Sequence, residues 1–352
     1  MAGKYIYGII DNSNKTSLGI AGVGGSDVYI MGHQGIGCVL SDYSGGELAS
    51  MSKEKVVQSL LIHQLVVEHA MREDVVLPAK FGTILPTAED VCDLLNRGYQ
   101  QFLNALAWIG DKVEVEVAAT WDIGQVLQEI GKEEEIVRAR KGIAGKPEQH
   151  ALAERIRLGQ IVKASMDQRR DSFRERMIDF LKPVAIDVQS NALVCDEMVM
   201  NVAFLVDRAR QEEFDSRVRQ LDSLFQGKIN FRIIGPLPSY SFATIEVTKL
   251  NPEKIEEAKQ LLHLGEAISE PEVRRAYRHL AAEAHPDRKP GDELAKMRFA
   301  KLRLAADLII AHCRSQAGSG GGLLINIRRL RDEELRQLSF AEGVAVAGAL
   351  RG

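Results

Sequence analysis

Apolar positions along this chain recur first at every second residue, then at every third or fourth, and the two rhythms trade places several times. Residues 4–10 read as a strand, and 28–31 with 36–40 as a hairpin around Gly32-His33-Gln34-Gly35. Between them the glycine-rich run 19–25 predicts a loop. Helical spacing takes over at Val56, Leu60, His63, Leu65, Val67 and Ala70, behind Ser52 as the N-cap. A short strand at 75–77 precedes Pro78. Another helix begins near Thr87, where Glu89 and Asp90 fall in the electropositive first turn. Residues 113–117 alternate Val with Glu, the mark of a strand with one wet face.

Downstream, charge is dense through 131–141, and Gly145-Lys146-Pro147 breaks the pattern before a long helix from 148 to about 181. Pro183 ends it, because its ring cannot continue the hydrogen-bond ladder. Strands are expected at 184–188, 192–196 and 198–206, with Asp207 capping the next helix. That helix, at 211–225, carries Phe214, Val218, Leu221, Leu224 and Phe225 on one face. Strands at 228–234 and 242–247 flank the rigid joint Gly235-Pro236-Leu237-Pro238. Everything from 251 to 316 is helical by pattern. Gly318-Ser319-Gly320-Gly321-Gly322 then reads as a linker, followed by an apolar run at 323–327 and a charged helical segment at 328–338. The expected class is α+β, with a ferredoxin-like domain at 1–121 and a second α+β domain at 122–250. A helical domain at 251–316 and a linker with tail at 317–352 complete it.

Composition narrows the function. The chain has 352 residues, 45% hydrophobic and 27% charged, with a net charge of -4. That balance gives no basic surface for nucleic acid. No apolar run reaches the roughly 18 residues of a membrane span, and the first residues enter a strand pattern without a signal-peptide core, so a cytoplasmic protein is expected. Cys38, Cys92, Cys195 and Cys313 are scattered, which argues against a zinc site or disulfides; buried thiols are expected. Gly142-Ile143-Ala144-Gly145-Lys146 fails as a phosphate loop, because Arg140 stands at its first glycine position and Pro147 where Ser or Thr should bind magnesium. His63 and His69 lie about 120° apart on their helix and would not chelate one metal. No cofactor, metal site or catalytic residue is expected.

The richest signal lies between Ser269 and His312. Ser269-Glu270-Pro271-Glu272 forms a capping box. Val273, Ala276, Tyr277, Leu280, Ala281 and Ala284 then share one face, and Arg274, Arg275 and Arg278 the other. The helix must stop at His285-Pro286-Asp287, since the residue before a proline leaves the α region. A second helix carries the matching stripe Ala295, Phe299, Leu302, Ala306 and Ile309, so the two should pack as a hairpin. This stretch resembles a J domain, the co-chaperone module of Hsp70 systems. The resemblance implies that Arg274, Arg275, Arg278, His285, Pro286 and Asp287 bind Hsp70 and promote its ATP hydrolysis.

The first 250 residues carry a second resemblance. It rests on Tyr5-Ile6-Tyr7-Gly8-Ile9, Leu77-Pro78-Ala79-Lys80-Phe81-Gly82-Thr83, Asn201-Val202-Ala203-Phe204-Leu205-Val206-Asp207-Arg208 and Gly235-Pro236-Leu237-Pro238-Ser239-Tyr240-Ser241-Phe242. In order and rough spacing these are similar to the gas vesicle protein F/L family. That likeness implies an accessory or minor component of gas vesicles, with gas vesicle proteins as partners; the J-domain resemblance adds Hsp70 as a further one. Each motif also has a fold-keeping reading; Phe81-Gly82-Thr83 should be a tight turn with Phe as anchor. Two other functions stay open: a general J-type co-chaperone with an unrelated client, and an enzyme acting on a small molecule.

Overall fold

A computed structural model of the chain describes residues 2–45, 51–143, 148–249, 252–265, 268–284, 293–316 and 323–328. The N-terminal stretch forms β1 (Gly3–Ile10), β2 (Ser17–Ala21), β3 (Asp27–His33) and β4 (Ile36–Tyr43). Then come α1 (Lys53–Ala70), β5 (Val76–Pro78), β6 (Ile84–Leu85), α2 (Ala88–Ile109) and β7 (Lys112–Trp121). Helices α3 (Ile123–Ile130), α4 (Glu134–Ile143) and α5 (Glu148–Leu181) precede β8 (Asp187–Ser190) and β9 (Met198–Asp207). The chain continues as α6 (Gln211–Phe225), β10 (Ile229–Leu237) and β11 (Thr244–Lys249). It closes with α7 (Pro252–Leu261), α8 (Glu270–Glu283), α9 (Glu293–Gln316) and β12 (Leu323–Arg328). The mixed α+β class expected from the sequence is therefore the class observed. Two compact units share these elements. One takes residues 2–45, 79–105 and 245–328, the other 51–78 and 106–244.

In the first unit β2, β3, β4 and β1 lie side by side, and β6 pairs with the outer part of β1. β1 and β4 are antiparallel in the register Gly3↔Tyr43 to Ile10↔Gly37. Tyr5, Ile6, Tyr7, Ile9 and Ile10 are all fully buried, which explains why β1 reads as a continuous apolar run. Buried phenols need partners. The Tyr7 hydroxyl accepts from Val23 N–H at 2.7 Å and shares a 2.9 Å bond with Ser41, and Tyr5 accepts from Gly82 N–H at 3.0 Å. Around that last contact Thr83 donates twice to the Lys80 carbonyl, and Gly82 sits at φ +83°, a conformation that a side chain disfavours. The tight turn expected at Phe81-Gly82-Thr83 is present, with Phe81 against Tyr5 at 6.5 Å between ring centres.

The second unit is built on the sheet β10-β7-β9-β8. β7 is its second strand and runs antiparallel to both neighbours, with Lys112↔Asp207 on β9 and Ile229↔Trp121 on β10. Val113, Val115, Val117, Ala119 and Trp121 send one face of β7 into a core shared with Val202, Phe204 and Val206 of β9. Phe214, Val218, Leu221 and Phe225 of α6 join that core, as the helical spacing anticipated, while Leu224 stays exposed. α5 contributes Met177 and Leu181, with Leu158, Ile161, Val162, Met166 and Phe173 partly buried along its length. Arg169 on α5 reaches Glu129 at 2.7 Å and Glu133 at 3.1 Å, tying the long helix to the end of α3 and the start of α4. Asp207 caps as expected, accepting from Ala209 N–H at 3.0 Å.

Among the described residues of this unit, one acid is buried. Glu114 of β7 is 1% exposed, and its two carboxyl oxygens accept from Ser241 N–H at 2.8 Å and the Ser241 hydroxyl at 2.7 Å. Burial pushes its pKa up to about 8, against the pull of those hydrogen bonds and with a further push from Glu116.

Several local expectations need correction. The glycine-rich run holds strand β2 over Ser17–Ala21, because pairing with β3 overrides weak intrinsic propensity. Residues 192–196 form no strand. They connect β8 to β9, and Asn201 reaches across to hold the Ala192 carbonyl at 2.9 Å. Leu65, placed on the inner stripe of α1, is 57% exposed; His63, Val66, Val67 and Ala70 are the buried residues. Only Cys38 is a buried thiol, whereas Cys92 and Cys195 are exposed and Cys313 is intermediate. Apolar sequence neighbours did not determine the face on which each sulfur falls. Among the described residues no helix is long and apolar enough to cross a membrane.

Candidate partner-binding surface

Of the residues singled out for binding, Arg274, Arg275 and Arg278 lie on α8, in the helical module of α7, α8 and α9. Its core joins Ile255, Ala258 and Leu262 to Val273, Leu280 and Ala284, and to Leu302, Ala305, Ala306 and Ile309. α9 packs on both α7 and α8. Of the apolar stripes read from the sequence, Val273, Leu280, Ala284, Leu302, Ala306 and Ile309 lie in this core and Tyr277 and Phe299 pack against it, while the Ala295 side chain lies outside the described residues. Tyr277 and Phe299 meet from opposite helices at 6.4 Å between ring centres. Ala305 is buried as well, although the sequence reading left it out.

α8 starts where the capping box requires. Ser269 donates its N–H to Glu272 Oε2 at 2.9 Å and its hydroxyl to the same oxygen at 2.7 Å. Those two bonds hold the Glu272 carboxyl below its usual pKa. With Val273 and Leu280 fixed in the core, the 3.6-residue repeat turns Arg274, Arg275 and Arg278 outward. Glu270 and Pro271 lie beside them on the first turn of the same helix.

The three arginines are not equivalent. Arg274 donates from Nη2 and Nε to Glu270 Oε1 at 2.6 and 3.1 Å, one turn back on α8. Arg278 Nε donates to the Arg274 carbonyl at 3.2 Å, which orients its guanidinium along the helix. The surface is thus a basic ridge with one member already matched by a carboxylate. The Glu270/Arg274 spacing of four residues was present in the sequence as a signal for that pair. His285, Pro286 and Asp287 lie outside the described residues. Among the described residues no group of three or more His, Cys, Asp or Glu could hold a metal ion. What this surface can do chemically is dock an acidic partner through cations and hydrogen bonds.

Similarity to known proteins divides the chain at the same place. Residues 3–244 match the family model described as gas vesicle synthesis protein GvpL/GvpF, and residues 259–312 match the DnaJ domain. Gas vesicle protein F of Nostoc sp. is 26% identical over 251 residues, covering 69% of this chain and 99% of that protein. The protein of the same name from Streptomyces sp. is 29% identical over 247 residues, covering 68% and 98%. The chaperone protein DnaJ of Francisella tularensis is 40% identical over 50 residues, 14% of each chain. Among solved structures, the gas vesicle protein GvpF from Anabaena sp. shares the fold with a TM-score of 0.59 at 24% identity, covering 68% of this chain and 98% of that one. A family match over more than half of the sequence, in a chain that also carries a DnaJ domain, makes this protein a member of the gas vesicle GvpL/GvpF synthesis family.

Proposed function

We propose that this chain is an accessory factor of gas vesicle assembly, cytoplasmic and at the vesicle, that binds hydrophobic shell subunits or other gas vesicle proteins and recruits Hsp70 to them. The observation that carries the reading is the union, in one chain, of a GvpL/GvpF body with a packed J-type module bearing an arginine ridge. An unassembled shell subunit exposes apolar surface worth roughly 25 cal/mol per Å² to a complementary face. The body offers an edge at β10, the terminal strand of its sheet among the described residues. There Ile233 is 40% exposed, on the same face as the half-buried Phe231. An edge strand can also pair its backbone with an extended segment. The module then supplies the second function: Arg275 and Arg278 of the ridge, with His285, Pro286 and Asp287 beyond it, would engage Hsp70.

Two measurements test the two halves. Co-expression with the shell protein, followed by affinity capture of this chain, should recover shell protein in the soluble fraction. Shell protein that stays soluble and unbound overturns the first half. The wild-type chain should accelerate single-turnover ATP hydrolysis by Hsp70, and His285→Gln or Arg275→Glu should remove the acceleration. A wild-type chain without effect overturns the second half. Acceleration without shell binding would support a J-type co-chaperone of another client.

A further inference from the structure

The two matched regions end at residue 244 and begin again at 259, and the second stops at 312. β11 and β12 lie almost wholly in the stretches that neither covers, and they pair with each other. β11 is fixed to the first unit at several points. Lys80 N–H donates to the Ile245 carbonyl at 2.9 Å, beside a parallel bridge between Ala79 and Ile245. Lys80 Nζ stands 3.1 Å from Glu246 Oε1. At the far end of the strand Lys249 Nζ reaches both Asp90 oxygens of α2, at 2.7 and 2.8 Å. Thr87 donates its N–H and hydroxyl to the same carboxylate, which holds it in place.

The helical module leaves from β11 through α7 and comes back after α9 as β12. β12 does more than pass by: it pairs with β11, packs against α9, and buries Leu323 to 4% exposure. We propose that Leu323–Arg328 is a strap that ties the exit of the module to its entry and so holds the module in one orientation relative to α2 and the Ala79–Lys80 segment.

The physical case rests on the number of attachments. A module hung from one chain connection keeps rotational freedom about it. A second attachment beside the first removes that freedom, and the closure entropy of the intervening loop grows only slowly with its length. Two strands alone in water are marginal. Here β11 brings its own anchors, and β12 gains the packing of Leu323 and the contact with α9. The consequence is positional: whatever binds Arg275 and Arg278 is presented at a set distance from α2. This holds whichever partner the ridge takes.

Electron–electron distance measurement on the full chain tests the strap. Spin labels go on the exposed Cys92 of α2 and on Arg278→Cys of α8, with Cys195→Ser and Cys313→Ala removing the other accessible thiols. The strapped chain should give one narrow distance distribution. Leu323→Asp, which puts a charge at the buried end of β12, should broaden it at least about twofold, as a single flexible attachment would. A chain stopped after Gln316 should do the same, with unchanged helical signal in circular dichroism. Should the stopped chain fail to fold, the Leu323→Asp comparison decides alone. A distribution already broad in the strapped chain overturns the proposal, as does one that stays narrow in Leu323→Asp.

Discussion

Replacing Glu114 by Gln should stabilise this protein at neutral and alkaline pH and leave it unchanged in acid. The carboxyl is 1% exposed, and its bonding partner Ser241 is a neutral side chain and backbone. Burial raises its pKa from 4.5 to about 8. In the unfolded chain Glu114 releases its proton above about pH 4.5, while the folded protein keeps it until about pH 8. The folded state therefore holds the extra proton in that window, and stability falls as pH rises through it. The loss is on the order of 3 kcal/mol at pH 7 and about 5 kcal/mol once both states are ionised. Gln is neutral throughout. Its carbonyl can accept from Ser241 N–H and its amide can donate to the Ser241 hydroxyl, so both contacts keep a partner. Urea unfolding followed through the fluorescence of Trp108 and Trp121, for both proteins at intervals from pH 4 to 9, isolates the effect, because carboxylates not coupled to Glu114 cancel in the difference and Glu116 is its one charged neighbour among the causes of the shift. A stability difference that stays flat across that range would refute the reasoning.

Three further outcomes rest on packing and backbone geometry. Leu302→Ala opens a hole in the helical module where Leu302 is 1% exposed, and should cost about 2–5 kcal/mol, read as lost hydrogen-exchange protection in α7–α9. Phe214→Ala removes a fully buried ring packed 5.2 Å from Phe204, and should cost about 3–5 kcal/mol in urea unfolding of the second unit. Gly82→Ala forces a side chain into φ +83°, and should lower stability by about 1–2 kcal/mol in thermal unfolding.

What the residues of this chain reveal without coordinates is local and periodic. The stripes Val273, Leu280, Ala284 and Leu302, Ala306, Ile309 predicted the packed faces of α8 and α9, because a helix repeats its core contacts every turn and each stripe is complete within one segment. Capping is equally local: Ser269 with Glu272, and Asp207 with Ala209, sit within three residues of each other. The alternation of Val and Glu likewise marked β7 as a strand.

Tertiary pairing decided the rest. Nothing in residues 113–117 says that β7 lies between β10 and β9, since either sheet could satisfy an alternating strand. The same alternation predicts a wet face, yet Glu114 is buried there, covered by the segment that brings Ser241 to it from 127 positions away. β2 is a strand only because β3 lies beside it. Residues 323–327 gave an apolar run without a role, and with Arg328 they became β12 through a partner strand more than 70 residues upstream. Periodicity encodes which residues want to be inside. The strand that meets them, and the charge that must accompany them inward, is set by long-range hydrogen bonds that leave no mark in the local order of residues.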